Sequence, residues 1–385
     1  VGSRGACGAG PATAAVIERG FRGRTDSDTQ TALVAARSSS LKSLPLLTRP
    51  GARFACSGSG VCCSDIHGLG VLTRSEVREV KARDKLAVVY NDELEGHCLR
   101  TEDRGCVFMG QDQRCRIHAE SGHIAKPAGC RRFPYGLIRT PHGGRITTEH
   151  RCACRTMGDR PPVSIADADA SLRDRKGRLE SDFDVPTRIA LQRNQRVSFD
   201  RYAELESQLI ARLNAGERAE AVLGSQPLPE LQNSSWAAVA IEHIETRDVS
   251  AGGEAYAWFG DALLHLATGH LPPQRPRPWH PGFDRALASS SETPDPEKIY
   301  NDWVADEIWM FRWVPWGPFD VARAELVTRL AVARCVQGWM EKQGVQAGQA
   351  AAEAVMMCEL AAEGSEWPSA VATIVRSPSP ADPLL

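Results

Sequence analysis

The sequence predicts a mainly α protein with an irregular cysteine-rich metal-binding domain that contains a short helix and a small β-hairpin. Three observations lead there. Nine of the twelve cysteines lie between Cys56 and Cys154, all nine tryptophans lie at Trp236 or later, and the sustained helical periodicity starts only after Ser198. Cysteine chemistry and helical packing therefore occupy different parts of the chain.

Taken in order, residues 1–50 are rich in Gly, Ala, Ser, Thr and Arg without a sustained period, which predicts a disordered leader; a short helix over 31–37 is the alternative there. Residues 51–160 form the cysteine-rich domain. Its helix starts at the capping-box pattern Thr73-Arg-Ser-Glu76, with Val77 and Val80 on one side. Its hairpin is 137–140 and 145–148 around Pro141-His-Gly-Gly144. Residues 161–195 are polar and rich in Asp and Arg, which predicts a linker. Residues 196–376 read as a helical domain. Tyr202, Leu205, Leu209 and Leu213 recur at helical spacing and stop at Gly216. Leu326, Leu330, Ala333, Val336 and Met340 trace a second helix, 349–363 a third, and 272–281 and 289–296 are loops. Residues 377–385 are a flexible tail.

The 385 residues carry 46 Lys+Arg and 48 Asp+Glu, a net −2. Near-neutrality argues against a wholly basic nucleic-acid binder. Charge is nevertheless partitioned: +4 over 1–50, +5 over 51–160 and −11 over 161–385. No run of 18 apolar residues is present, so no membrane helix is expected. The apolar stretch 31–36 is too short for a secretory signal, and a cytoplasmic location is expected.

The cysteine domain needs support beyond apolar burial. Leu, Ile, Val and Phe make up 20 of the 99 residues from Cys56 to Cys154, at the border below which a chain struggles to build a core. Three explanations compete for the thiols. A disulfide framework is disfavoured in a reducing compartment, and a bond between the neighbours Cys62 and Cys63 would be strained. Inert buried thiols suit Cys335 and Cys358, each alone in an expected helix, while Cys7 sits in the leader. Metal ligation suits the rest: thiolates bind zinc or iron–sulfur clusters, and Gly58 and Gly60 let the backbone fold tightly around them. A structural zinc contributes on the order of 10–16 kcal/mol in small peptides, enough to replace a thin core. The metal candidates are Cys56, Cys62, Cys63, Cys106, Cys115 and Cys130, with Cys152 and Cys154 behind them.

The order of these motifs resembles the YkgJ-type cysteine-cluster family, a zinc- or iron-chelating domain also written CxxCxxCC. The matching steps are Phe54/Cys56, Gly60/Cys62/Cys63, Cys106, Cys115/Ile117/His118, and Pro127/Cys130/Arg131/Phe133/Pro134, covering about residues 54–135. A later family cysteine corresponds to Cys152 or Cys154. One departure stands out: Ser59 occupies a position where the family usually has Cys. If that position ligates, Cys98, Cys152, Cys154 or a histidine must replace it, or the site has one ligand fewer. A looser, longer resemblance is to flagellin lysine N-methylases, carried by the cysteine arrangement and by the aromatic stretch 300–313. It implies an iron–sulfur cluster, S-adenosylmethionine and methyl transfer to a lysine of a protein substrate. The chain itself has no GxGxxG unit between a strand and a helix, no phosphate loop and no radical-type Cys-x-x-x-Cys-x-x-Cys, so catalytic residues are not identified.

Around the cysteines, His67, His97, His118, His123, His142 and His150 read individually as ordinary hydrogen-bonded histidines, with His150 as the reserve ligand. Arg131 is expected to support the site by bonding nearby carbonyls or thiolates. Trp309, Trp313 and Trp316 fall at helical spacing and are expected as a core stripe.

Overall fold

The computed structural model describes residues 45–375, apart from 69, 93, 158–159, 247 and 291–293. Cys7, the 31–37 segment and the 377–385 tail lie outside the described residues.

The chain enters on strand β1 (Leu46–Thr48), inside the segment expected as a leader. Leu46 and Leu47 pack against different apolar clusters, as alternation along a strand requires, and this draws the segment into the fold. Helix α1 (Arg74–Arg83) follows with the expected capping box: Thr73 accepts from the Glu76 amide, and the Glu76 side chain accepts from the Thr73 amide. Two small hairpins come next, β2 (Val88–Asn91) with β3 (Gly96–Leu99) and β4 (Thr101–Glu102) with β5 (Gly105–Cys106). Short helices α2 (Arg116–Ser121) and α3 (Ala128–Arg132) lead into β6 (Tyr135–Thr140) and β7 (Gly143–Thr148). This is the expected hairpin, but its loop is only Pro141-His142, because Gly143 pairs with Thr140.

One-turn helix α4 (Ala153–Thr156), helix α5 (Ile165–Leu172) and strands β8 (Phe183–Asp184), β9 (Arg188–Gln192) and β10 (Gln195–Ser198) follow. Residues 161–195 are therefore not a simple polar linker. Ser164 caps α5, Ala168 and Leu172 bury beneath the sheet, and Val185, Ile189 and Leu191 enter the main core. The polar majority that suggested a linker covers the outer faces of these elements. The sheet runs β1-β7-β6-β8, with β1 and β8 parallel to their neighbours and β6–β7 antiparallel.

The helical half consists of α6 (Phe199–Asn214), α7 (Ala219–Leu223), α8 (Trp236–Glu245), α9 (Ala251–Thr268), α10 (His280–Ala288), α11 (Pro296–Met310), α12 (Phe319–Lys342), α13 (Ala347–Ala361) and α14 (Glu366–Val371). Ser198 caps α6, and Tyr202, Leu205, Leu209 and Leu213 all bury. α9 packs on α8, α12 and α13, while α11 touches α6, α13 and β7. Trp309 lies at the end of α11, but Trp313 and Trp316 do not continue it. Phe311 takes a left-handed conformation at φ 54° and turns the chain before Pro315. Trp313 is still core, through burial in a turn rather than on a helical stripe.

The two halves share one core. The largest apolar cluster joins Val61, Ile66, Ile138, Ala153 and Met157 to residues of the helical half. Buried ion pairs reinforce it. Arg49 and Arg155 both pair with Asp302 and Asp306 of α11. Arg145 of β7 forks onto Glu206 of α6 at 2.7 Å through both terminal nitrogens, with its guanidinium 3.9 Å from the Trp309 ring centroid.

Candidate metal centre

The loop 54–63 carries the first three cysteines. Gly58 and Gly60 both sit at positive φ, 75° and 79°, where a side chain would be strained, and Val61–Cys63 form one 3-10 turn. Two outside contacts set the loop. The Phe54 amide donates to the Pro161 carbonyl at 3.0 Å, and Arg285 of α10 donates twice to the Ser59 carbonyl, at 2.8 and 2.6 Å.

The other cysteines arrive at element ends. Cys106 closes β5, Cys115 caps α2, Cys152 caps α4 and Cys154 lies within it. Cys130 lies in α3, whose Ala128 amide donates to Glu76 Oε1 at 2.6 Å. The capping-box glutamate of α1 thus also anchors the helix that presents Cys130.

Two groups of thiols result. In the first, Cys154 Sγ lies 3.1 Å from Ser57 Oγ and 3.3 Å from Ser59 Oγ, and the Ser57 amide donates to it at 3.4 Å. Hydrogen bonds from Cys152 and Cys56, then the two serines, hold the Cys154 thiol far below its ordinary range. Its partners are pushed up: Cys56 and Cys152 each by the bond to Cys154 and then by burial. In the second group burial pushes Cys130 up to about 12, with Cys106 and Cys115 adding repulsion, and burial also raises Cys106. Cys62, hydrogen-bonded to Cys63 and raised by that bond, interacts electrostatically with Cys154 and also with Cys106 and Cys130. It therefore links the two groups. The cysteines among the described residues are free thiols.

Cys56, Cys152 and Cys154 are joined by hydrogen bonds, as are Cys62 and Cys63, while Cys106, Cys115 and Cys130 interact with them and with each other only electrostatically. Cys98 sits apart in sequence on β3, opposite Val89. Ser59, which departs from the family pattern, places its hydroxyl against the Cys154 sulfur. The donor chemistry fits a thiophilic metal: several free thiols, one of them acidified, with two serine hydroxyls beside it. The thiols are gathered rather than caged, since among the described residues no group of three or more His, Cys, Asp or Glu is arranged to hold an ion.

Lys126 is a participant that sequence reasoning missed. Its ammonium interacts with Cys62 and Cys130 and opposes their upward shifts. Its place three residues before Gly129-Cys130 on a short helical approach was the only available signal. Arg131 is buried, donating to the Lys126 carbonyl at 3.4 Å, so its support runs through backbone. His150 is not positioned as a reserve ligand: its Nε2 lies 2.9 Å from Asp306 Oδ2, fully buried in the ion-pair cluster. His118 and His123 face each other with centroids 5.7 Å apart, and His67 lies against Phe133 at 5.1 Å. Cys358 is buried and donates to the Arg329 carbonyl at 3.4 Å; Cys335 is half-buried.

Comparisons with protein-family models, with curated proteins and with solved structures find no match for this chain.

Proposed function

We propose that this chain is a metal-binding protein whose cysteine cluster holds zinc or an iron–sulfur cluster. The supporting observation is the meeting of free thiols from separate stretches of chain, 56–63, 106–115, 130 and 152–154, around the acidified Cys154 and the linking Cys62. Cys152, Cys154, Cys106 and Cys115 also touch apolar clusters, but apolar packing does not require thiols from four separate stretches to meet, and a positive ion would relieve repulsion among thiolates. Cys56, Cys62, Cys63, Cys106, Cys115, Cys130, Cys152 and Cys154 are the residues that would hold it, with Lys126 offsetting residual negative charge. Bound zinc would supply structural closure, and an iron–sulfur cluster would add electron transfer.

The experiment is elemental analysis and absorption spectroscopy of protein purified without air, on the native chain and on Cys130→Ser and Cys154→Ser. Stoichiometric zinc or iron that falls in both variants supports the reading. Native protein without bound metal, or variants with unchanged metal content, overturns it.

A further inference from the structure

A second site lies outside the cysteines, in the cleft between the β9–β10 hairpin and the turn 313–318. We propose that this cleft binds a small phosphate ester of a planar ring, of the nucleoside monophosphate class.

The cleft encloses about 280 Å³ and includes Arg188, Arg193, Arg196, Trp313, Pro315 and Trp316 in its lining, with no carboxylate among its lining residues. Exposed arginines without an ion pair among the described residues also occur at Arg74, Arg78 and Arg83, but Arg188, Arg193 and Arg196 line one cleft. Arg49, Arg145, Arg151, Arg155, Arg329 and Arg334 are all committed to carboxylates, and exposed Arg201 and half-buried Arg212 pair within their helices or just beyond. Arg188 donates to the Arg196 carbonyl at 3.2 Å instead. Among the described residues, no ion pair engages Arg188, Arg193 or Arg196. All three are exposed. Like charges gathered on one short hairpin repel one another, and an anion between them relieves that repulsion. The planar guanidinium fork matches phosphate oxygens in pairs.

The opposite wall is aromatic and rigid. Trp313 packs on Tyr202, Phe311 and Phe319 with centroids 5.8, 5.9 and 5.2 Å away. Its indole N–H has no hydrogen-bond partner among the described residues. Trp316 is half-buried, and its amide donates to the Trp313 carbonyl at 2.8 Å, with Pro315 and Pro318 flanking it. Trp313 is buried and only backs the wall, so half-buried Trp316 is the ring left to stack; one aromatic beside three cations suits a ligand with a planar ring and an anionic group. The volume is just below the usual range for ligand sites, which favours one small molecule over a peptide segment.

The test uses the full chain, titrated separately with adenosine monophosphate, adenosine and inorganic phosphate, by calorimetry and tryptophan fluorescence. The expected result is saturable binding of the monophosphate at least tenfold tighter than either fragment. Arg193→Gln/Arg196→Gln should weaken it tenfold or more, with metal content unchanged. Arg193→Gln alone, at the exposed hairpin tip, should weaken it severalfold and serves if the double variant does not fold. Binding no tighter than that of the fragments, equal binding by folded variants, or competition by hexaglutamate at lower concentration than the monophosphate overturns the proposal.

Discussion

Replacing Asp306 by asparagine should destabilise the whole molecule rather than one half. Asp306 is 1% exposed and sits on α11 facing the cysteine-bearing half. One oxygen accepts from Arg49; the other accepts from Arg155, from His150 at 2.9 Å and from Thr148 at 3.2 Å. Burial alone would raise its pKa, yet Arg155 and then Arg49 hold it well below the carboxylate range. The Asp306→Asn change would leave two buried guanidiniums sharing Asp302, whose side chain is 29% exposed. Charged hydrogen bonds at about 1.5–3 kcal/mol each give an upper bound. Because Asp302 remains, the loss should be that of a broken buried ion pair, about 3–5 kcal/mol. At roughly 2–4 °C per kcal/mol for large domains, Tm should fall by about 6–20 °C. The assay needs one probe per half: tryptophan fluorescence reports only residues from Trp236 onward, and thiol labelling read peptide by peptide over residues 56–154 reports the cysteine cluster apart from Cys335 and Cys358. Both should shift together. A loss under about 1 kcal/mol, or a shift in one probe alone, would refute the reasoning. Glu79→Gln is the control, since its pair with Arg175 is exposed on both sides and should contribute under about 1 kcal/mol.

The contribution of two buried glutamates to stability should fall as pH rises from about 5.5 to 8.5. Burial, with Glu149 and Glu307 nearby, raises Glu363 to about 7 and Glu359 to about 8. The native state then binds more protons than the unfolded one above the ordinary carboxyl range, so ΔG decreases by up to about 1.4 kcal/mol per pH unit per group. Asp306 acts oppositely, losing its contribution only as pH falls through its depressed pKa. Glu359→Gln should remove part of this fall, and a Tm whose pH dependence in the variant matches that of the native chain would count against it. Removing metal with a chelator should expose the region around α1, α2 and the two small hairpins to protease first, because its apolar cluster has only Val80, Ala87, Phe108 and Ile117 fully buried. Cleavage beginning in β6–β7, which belongs to the larger clusters, would contradict that order. Gly282→Ala should disturb the cysteine loop from α10, since an added Cβ would lie 2.1 Å from Val61 Cγ2; a stability loss of about 1–3 kcal/mol with lower metal content is expected, and native values for both would count against it.

Local chemistry was legible in the sequence. The Thr73–Glu76 box, the onset of helical periodicity after Ser198, the 3.6-residue stripes of α6 and α12, and the hairpin around Pro141 depend on neighbours a few residues apart, and so does the clustering of cysteines. Tertiary packing decided the rest. Leu46–Thr48 is a strand only because β7 offers it an edge, and 161–195 is ordered because a few apolar residues find buried sites under polar neighbours. Trp313 and Trp316 leave the helix because Phe311 adopts a left-handed turn that helical spacing cannot reveal. His150 belongs to Asp306, 156 residues away, and the partition of thiols around Cys154 and Cys62 depends on where α3, α4 and the glycine loop meet. Composition and periodicity determine which groups a chain possesses and how each segment curls; the partner of a buried charge or thiol is chosen by distant segments competing to satisfy it once water is excluded.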